Sequence, residues 1–255
     1  MLNVKKERVE KLAGAVMLPL IKISISLVAL AGILVPITGT FVHAQMPGPN
    51  EVIAYEHINF VGAHRSWKLE PGMRQKLVPY VGDDMNDRIS SIHVGSGVGV
   101  AVFQHADFQG PWWNYQSTQT GLPPQWNDQI SSLIVYPKAM VQPLGVYLEG
   151  MTSGAGVIHA MVAGFFPAPE RMAEPTARYP FIGKMMNDAV EMASIYPNDS
   201  RSPVRGKIEV RLCEHTNFAG RCITIPGPGS DYTIFKLGDY QFSHITSSVE
   251  VSHKP

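Results

Sequence analysis

A six-residue pattern built from oxygen-bearing side chains occurs twice in this chain, at Asn86-Asp87-Arg88-Ile89-Ser90-Ser91 and, 41 residues on, at Asn127-Asp128-Gln129-Ile130-Ser131-Ser132. Each copy runs into an alternating apolar segment, Ser91-Ile92-His93-Val94 and Ser132-Leu133-Ile134-Val135. Each is also preceded by the same frame. Ile53-Ala54-Tyr55-Glu56-His57 leads to Asn59-Phe60-Val61-Gly62, and Val100-Ala101-Val102-Phe103-Gln104-His105 leads to Asp107-Phe108-Gln109-Gly110. Alternation with a period of two predicts strands, and the glycine supplies positive φ for a tight fold-over on which the Phe packs. A repeat in phase with its flanks cannot bury its apolar face alone, so two units must pair. The expectation is an all-β chain in which each unit of strand, folded hairpin, loop, oxygen-rich turn and strand forms a Greek key, two of them packing as a β-sandwich.

The frame returns as Cys213-Glu214-His215-Thr216-Asn217-Phe218-Ala219-Gly220, with cysteine replacing the aromatic, and Ser248-Val249-Glu250-Val251 closes that unit. Its hexad, Ser243-His244-Ile245-Thr246-Ser247-Ser248, has no Asn or Asp. A partner for it lies in 140–206, where Met186-Asn187-Asp188-Ala189-Val190 aligns with Trp126-Asn127-Asp128-Gln129-Ile130, and Val146-Tyr147-Leu148-Glu149 can be a first strand. Here Glu191-Met192 replaces Ser-Ser. Two readings stay open for 184–195: a decayed fourth unit, or an amphipathic helix with a Met/Val/Ile stripe. Residues 151–180, rich in Gly, Ala, Met and Pro, read as a long insertion or loop.

In its hairpin and its Asn/Asp-Asn/Asp-x-x-Ser-Ser signature, the segment 51–137 resembles a microbial, calcium-binding βγ-crystallin domain; 140–254 resembles one more weakly. The resemblance implies a Greek-key β-sandwich with one well-formed two-motif domain and a second, degenerate one carrying an insertion, divided as 51–137, a linker or insertion with a degenerate third motif at 138–206, and a further motif at 207–254. It also implies two Ca²⁺ ions held between paired motifs. Asn, Asp and Ser offer the hard oxygens that calcium selects, and no single hexad supplies the 6–8 that it takes. Carried over, one site uses Asn86, Asp87, the backbone at Arg88, Glu56 and Ser131. Its mate uses Asn127, Asp128, Gln129, Gln104 and Ser90. Arg88, a fixed cation, weakens its site. Glu191-Met192 and Ser243-His244 break the pattern, so no strong site is expected in 140–254. Without metal, the same turns can be capped by side-chain to backbone hydrogen bonds.

Residues 1–44 have a basic start, an apolar run from Ile23 to Val35 and a small-x-small Val42-His43-Ala44, the pattern of a signal peptide cleaved after Ala44. The expected location is secreted or periplasmic, with no integral membrane association after cleavage. What remains has 16 basic and 19 acidic residues and no basic patch, which argues against a nucleic-acid partner. In an exported protein, Cys213 and Cys222 in a strand-turn-strand pattern form a disulfide; two free thiols are the alternative. Isolated histidines, the lack of a Gly-x-Ser-x-Gly elbow and carboxylates in separate hairpins give no positive sign of an enzyme. His57, His105 and His215 share one hairpin position and read as structural. Trp112, Trp113 and Trp126 read as packing.

Two functions are in view: a calcium-binding structural protein whose ions are its ligands, or a protease inhibitor or toxin-like protein on the same scaffold. The second would use 138–206 as a loop toward a protein or envelope partner.

Overall fold

The computed structural model describes residues 45–152, 160–227 and 234–254; the expected signal segment lies outside them. Among the described residues there is no α-helix, and no helix is long and apolar enough to cross a membrane. Four consecutive units of strand build the chain. The first contains β1 (Glu51–His57), β2 (Val61–Lys68), β3 (Lys76–Val78) and β4 (Ser91–Val94). The second contains β5 (Val98–Phe103), β6 (Trp112–Tyr115) and β7 (Ser132–Pro137). The third contains β8 (Gly145–Met151), β9 (Met161–Pro167), β10 (Thr176–Tyr179) and β11 (Val190–Tyr196), and the fourth β12 (Ile208–Cys213), β13 (Cys222–Pro226), β14 (Ile234–Lys236) and β15 (Ser248–His253).

The strands form four antiparallel sheets, ordered β2-β1-β4, β3-β7-β5-β6, β14-β11-β8-β9 and β10-β15-β12-β13. In three of them, one strand comes from the neighbouring unit. β3 of the first unit pairs with β7 of the second, β10 of the third with β15 of the fourth, and β14 of the fourth with β11 of the third. The return strand of the second unit is a bridge, Gln119 exchanging backbone hydrogen bonds with Ile92 on β4. These exchanges make two Greek-key sandwiches.

Between the first two sheets lies one core, with Val52, Ala54, Met85, Ile89, Val100, Val102, Leu133 and Val135 fully buried. β5 is buried along its whole length because its other face also packs. On that face Phe103 lies 5.7 Å from Phe165, and Trp112 lies 6.3 Å from Tyr147 and 4.9 Å from Tyr196. The two sandwiches therefore share an aromatic interface. Gln75, fully buried, closes it: its Nε2 donates to the carbonyls of Leu144 (3.0 Å) and Ala168 (2.8 Å), and its Oε1 accepts from Leu144 N–H (2.9 Å).

The helix reading of 184–195 is replaced by a turn and β11, because Val190, Ala193 and Ile195 must face inward from a ladder with β8. The loop reading of 151–180 is also corrected: β9 and β10 lie inside it. The Gly/Ala/Met/Pro-rich surroundings hid β9, where Ala163 and Gly164 separate the strand formers Val162, Phe165 and Phe166, but its backbone pairs with β8 along seven positions, Gly145↔Pro167 to Met151↔Met161.

Trp126 is core and Trp112 interface, while Trp113 is 56% exposed. The disulfide joins Cys213 to Cys222, directly opposed on β12 and β13.

Candidate functional site

The three fold-over hairpins are superimposable in their hydrogen bonding. Asn59-Phe60, Asp107-Phe108 and Asn217-Phe218 all adopt positive φ, between 54° and 63°, followed by Gly62, Gly110 and Gly220 at 75–89°. A left-handed Phe is costly and must be held. The holder is the second serine of each hexad. Ser91, Ser132 and Ser248 Oγ each accept the Phe N–H at 3.1 Å and donate to the carbonyl of His57, His105 or His215 at 2.6–2.7 Å. Each histidine ring lies against the glycine, where a Cβ would come within 2.7–2.9 Å of its Cδ2. The recurrent His is thus part of the hairpin. Where Met192 replaces this serine, the sequence between β8 and β9 also lacks a Phe-x-Gly motif.

The hexad turns are pinned by buried residues on either side, apolar except for Thr246: Met85 and Ile89, Trp126 and Ile130, Met186 and Val190, Phe242 and Thr246. Between them the second hexad residue takes positive φ: Asp87 53°, Asp128 54°, Asp188 56°, His244 60°. Its N–H crosses to the partner unit. Asp87 donates to the Ile130 carbonyl (3.2 Å), Asp128 to Ile89 (3.0 Å), Asp188 to Thr246 (3.1 Å) and His244 to Val190 (2.9 Å). Asn86, Asn127 and Asn187 each donate to the next Asp at 2.7–2.9 Å, orienting the carboxylate.

This crossing brings the first serine of one hexad to the aspartate of the other. Ser131 Oγ is 3.3 Å from Asp87 Oδ1 and 2.8 Å from the Gln104 carbonyl. Ser90 Oγ donates to Asp128 Oδ1 at 3.1 Å. The serines are buried; Asp87 is exposed and Asp128 half-buried, so each position has a hydroxyl floor and an open carboxylate rim. The sequence expectation grouped Gln104 with Asn127 and Asp128, and Glu56 with Asp87. The structure instead groups the Gln104 carbonyl with Ser131 and Asp87. The reason is that hairpin and first serine share one unit: Ser131 N–H donates to Phe103 O, as Ser90 N–H does to Tyr55 O.

Several expected side chains turn elsewhere. The Glu56 carboxylate accepts from Ala63 N–H (3.3 Å) and pairs with the Arg88 guanidinium, and the two, in that order, pull its pKa below the usual carboxylate range. Gln129 Nε2 donates to the Asp128 carbonyl (2.8 Å) and Gln104 Nε2 to the Gln125 carbonyl (3.3 Å).

A further set was not expected. Ser247 Oγ lies 2.7 Å from the Glu214 carbonyl and 3.4 Å from Asp188 Oδ1, the geometry of Ser131, Gln104 and Asp87 again. The signal is present in Asn187-Asp188 and in Ser247-Ser248; the substitutions at Glu191-Met192 and Ser243-His244, on which the expectation of no strong site rests, leave these four residues intact. Among the described residues no three His, Cys, Asp or Glu side chains are placed to hold a metal by themselves. Any ion would draw on hydroxyl and carbonyl oxygens, which these three positions supply, and the all-oxygen set fits a hard cation.

A family profile, peptidase inhibitor family I36, matches residues 50–115. No curated protein matches. Solved structures similar to this chain include a βγ-crystallin domain from Clostridium beijerinckii (28% identity, covering 33% of this chain and 95% of that one, TM-score 0.29). Another, from Flavobacterium johnsoniae, has 26% identity (34% and 93% covered, TM-score 0.28). The βγ-crystallin domain of the abundant perithecial protein of Neurospora crassa, in its Ca²⁺-bound form, has 22% identity (37% and 96%, TM-score 0.31). Each spans about a third of this chain. The crossed backbone, rather than these superpositions, carries the functional reading.

Proposed function

We propose, with residues 51–137 built on the βγ-crystallin plan as the premise, that this chain is an exported structural protein in which calcium bridges paired Greek keys. One observation carries the reading: Asp87 of one unit meets Ser131 and the Gln104 carbonyl of the next, so an ion there would be held by both and would tighten the sandwich. The positions at Asp128 with Ser90 and at Asp188 with Ser247 repeat the arrangement. Asn86, Asn127 and Asn187 orient the carboxylates. Glu56, Gln129 and the Arg88 side chain act on the turns rather than as ligands. With one carboxylate per position, affinity belongs in the range of about 10⁻⁵ to 10⁻³ M. The disulfide and the N-terminal segment support an oxidising, exported location.

The test is calorimetric titration of the chain with Ca²⁺. Ser131→Arg puts a fixed cation beside Asp87 and should remove that ion while leaving the one at Asp128; Ser90→Arg should do the reverse. Absence of binding at millimolar calcium, or loss of the ion nearer in sequence instead of the one across the sandwich, rejects the reading.

A second reading, protease inhibition, is favoured by one observation, the inhibitor-family match over 50–115. A panel of metallo- and serine proteases assayed with the purified chain tests it; no inhibition at micromolar chain removes it.

A further inference from the structure

The four hexads form two crossed couples, so there are four places where the second residue of one hexad meets the fifth of another. Three join an aspartate to a serine. The fourth joins His244 to Glu191, with His244 Nε2 3.0 Å from Glu191 Oε1. Its backbone is that of the other three: His244 has φ 60°, and its N–H donates to Val190 O. Only the chemistry is inverted. The carboxylate has moved to the arm that elsewhere carries the hydroxyl, and a group able to bear positive charge stands where the other aspartates stand. The hairpin arm is altered too. Gly150 takes the place of Glu56, Gln104 and Glu214, and a Cβ there would lie 1.8 Å from the Ala189 carbonyl.

Resting on the calcium reading above, we propose that this fourth position is closed to calcium by the internal pairing of His244 with Glu191. The His244 ring occupies the place of the ion against Glu191, so that the chain takes one ion fewer than its hexads would allow. An imidazole ring has no oxygen to offer, and the single carboxylate left is already engaged by its Nε2. The third and fourth units are then fastened on one side by an ion and on the other by their own side chains.

Three chains decide it, titrated with Ca²⁺ in a calorimeter near neutral pH: the wild type, His244→Asp and His244→Asp with Glu191→Ser. The double variant recreates an aspartate opposite a serine. The single variant sets two carboxylates face to face, which needs a cation, and it stands in should the double variant not fold by circular dichroism. Each should bind one more ion than the wild type. If the wild type binds calcium and neither folded variant gains an ion, the proposal is overturned and the calcium reading stands. If the wild type is silent, the calcium reading falls and the proposal falls with it, whatever the variants do.

Discussion

Replacing Gln75 with alanine should uncouple the two sandwiches. The side chain is fully buried and makes three hydrogen bonds to Leu144 and Ala168 across the interface. Its removal leaves the Leu144 N–H and the Ala168 carbonyl without these partners in a buried site, while Leu144 O keeps the Ala168 N–H. Two orphaned buried polar groups at about 1–3 kcal/mol each, partly relieved if water enters the gap, give a loss of about 3–4 kcal/mol. For a chain of this size that is roughly 6–15 °C in melting temperature. The assay is thermal unfolding followed by near-ultraviolet circular dichroism, which sees the Trp112–Tyr147–Tyr196 cluster, beside far-ultraviolet dichroism, which sees the sheets. The interface signal should melt first in the variant. A shift under about 2 °C, or coincident loss of both signals at the wild-type temperature, would refute the claim that Gln75 holds the halves together.

Two further outcomes follow from single side chains. Thr246 stands where the other hexads have Ile89, Ile130 and Val190, and its Oγ1 is buried without a partner; Thr246→Val should raise stability by about 1–2 kcal/mol in urea unfolding, and a loss would mean that the hydroxyl is satisfied in solution. Glu149 occupies the hairpin position of Tyr55 and Phe103, and its burial raises its pKa. A carboxyl raised on folding costs stability when ionised; the cost is full above the folded value, declines as pH falls through it and vanishes below the unfolded value. Glu149→Gln should therefore melt higher than the wild type at about pH 8 and lose that advantage toward about pH 4. An advantage unchanged across that range would show that charge is not the cause.

The hairpins, the hexads and the pairing of units were legible in the sequence because they rest on local rules. Strand alternation, Gly at positive φ and Asn-Asp turns are short-range chemistry, and duplication made them visible. β9 was hidden, since Ala163 and Gly164 interrupt its strand formers Val162, Phe165 and Phe166 and its pairing with β8 is decided by the ladder. The division of labour within Ser-Ser was also hidden: Ser90 and Ser131 face the crossed positions, whereas Ser91 and Ser132 hold a left-handed phenylalanine.

The amino-acid order alone determined that this chain is β-structured, repeated and rich in oxygen donors at its turns, because those properties follow from neighbours a few residues apart. Which donor meets which was decided only in three dimensions. The arms cross, so the substitutions Glu191 and His244, in two different hexads, fall on the same position and leave Asp188 with an intact partner in Ser247. Two defects that read as two lost sites along the chain are, once folded, one altered position opposite one preserved.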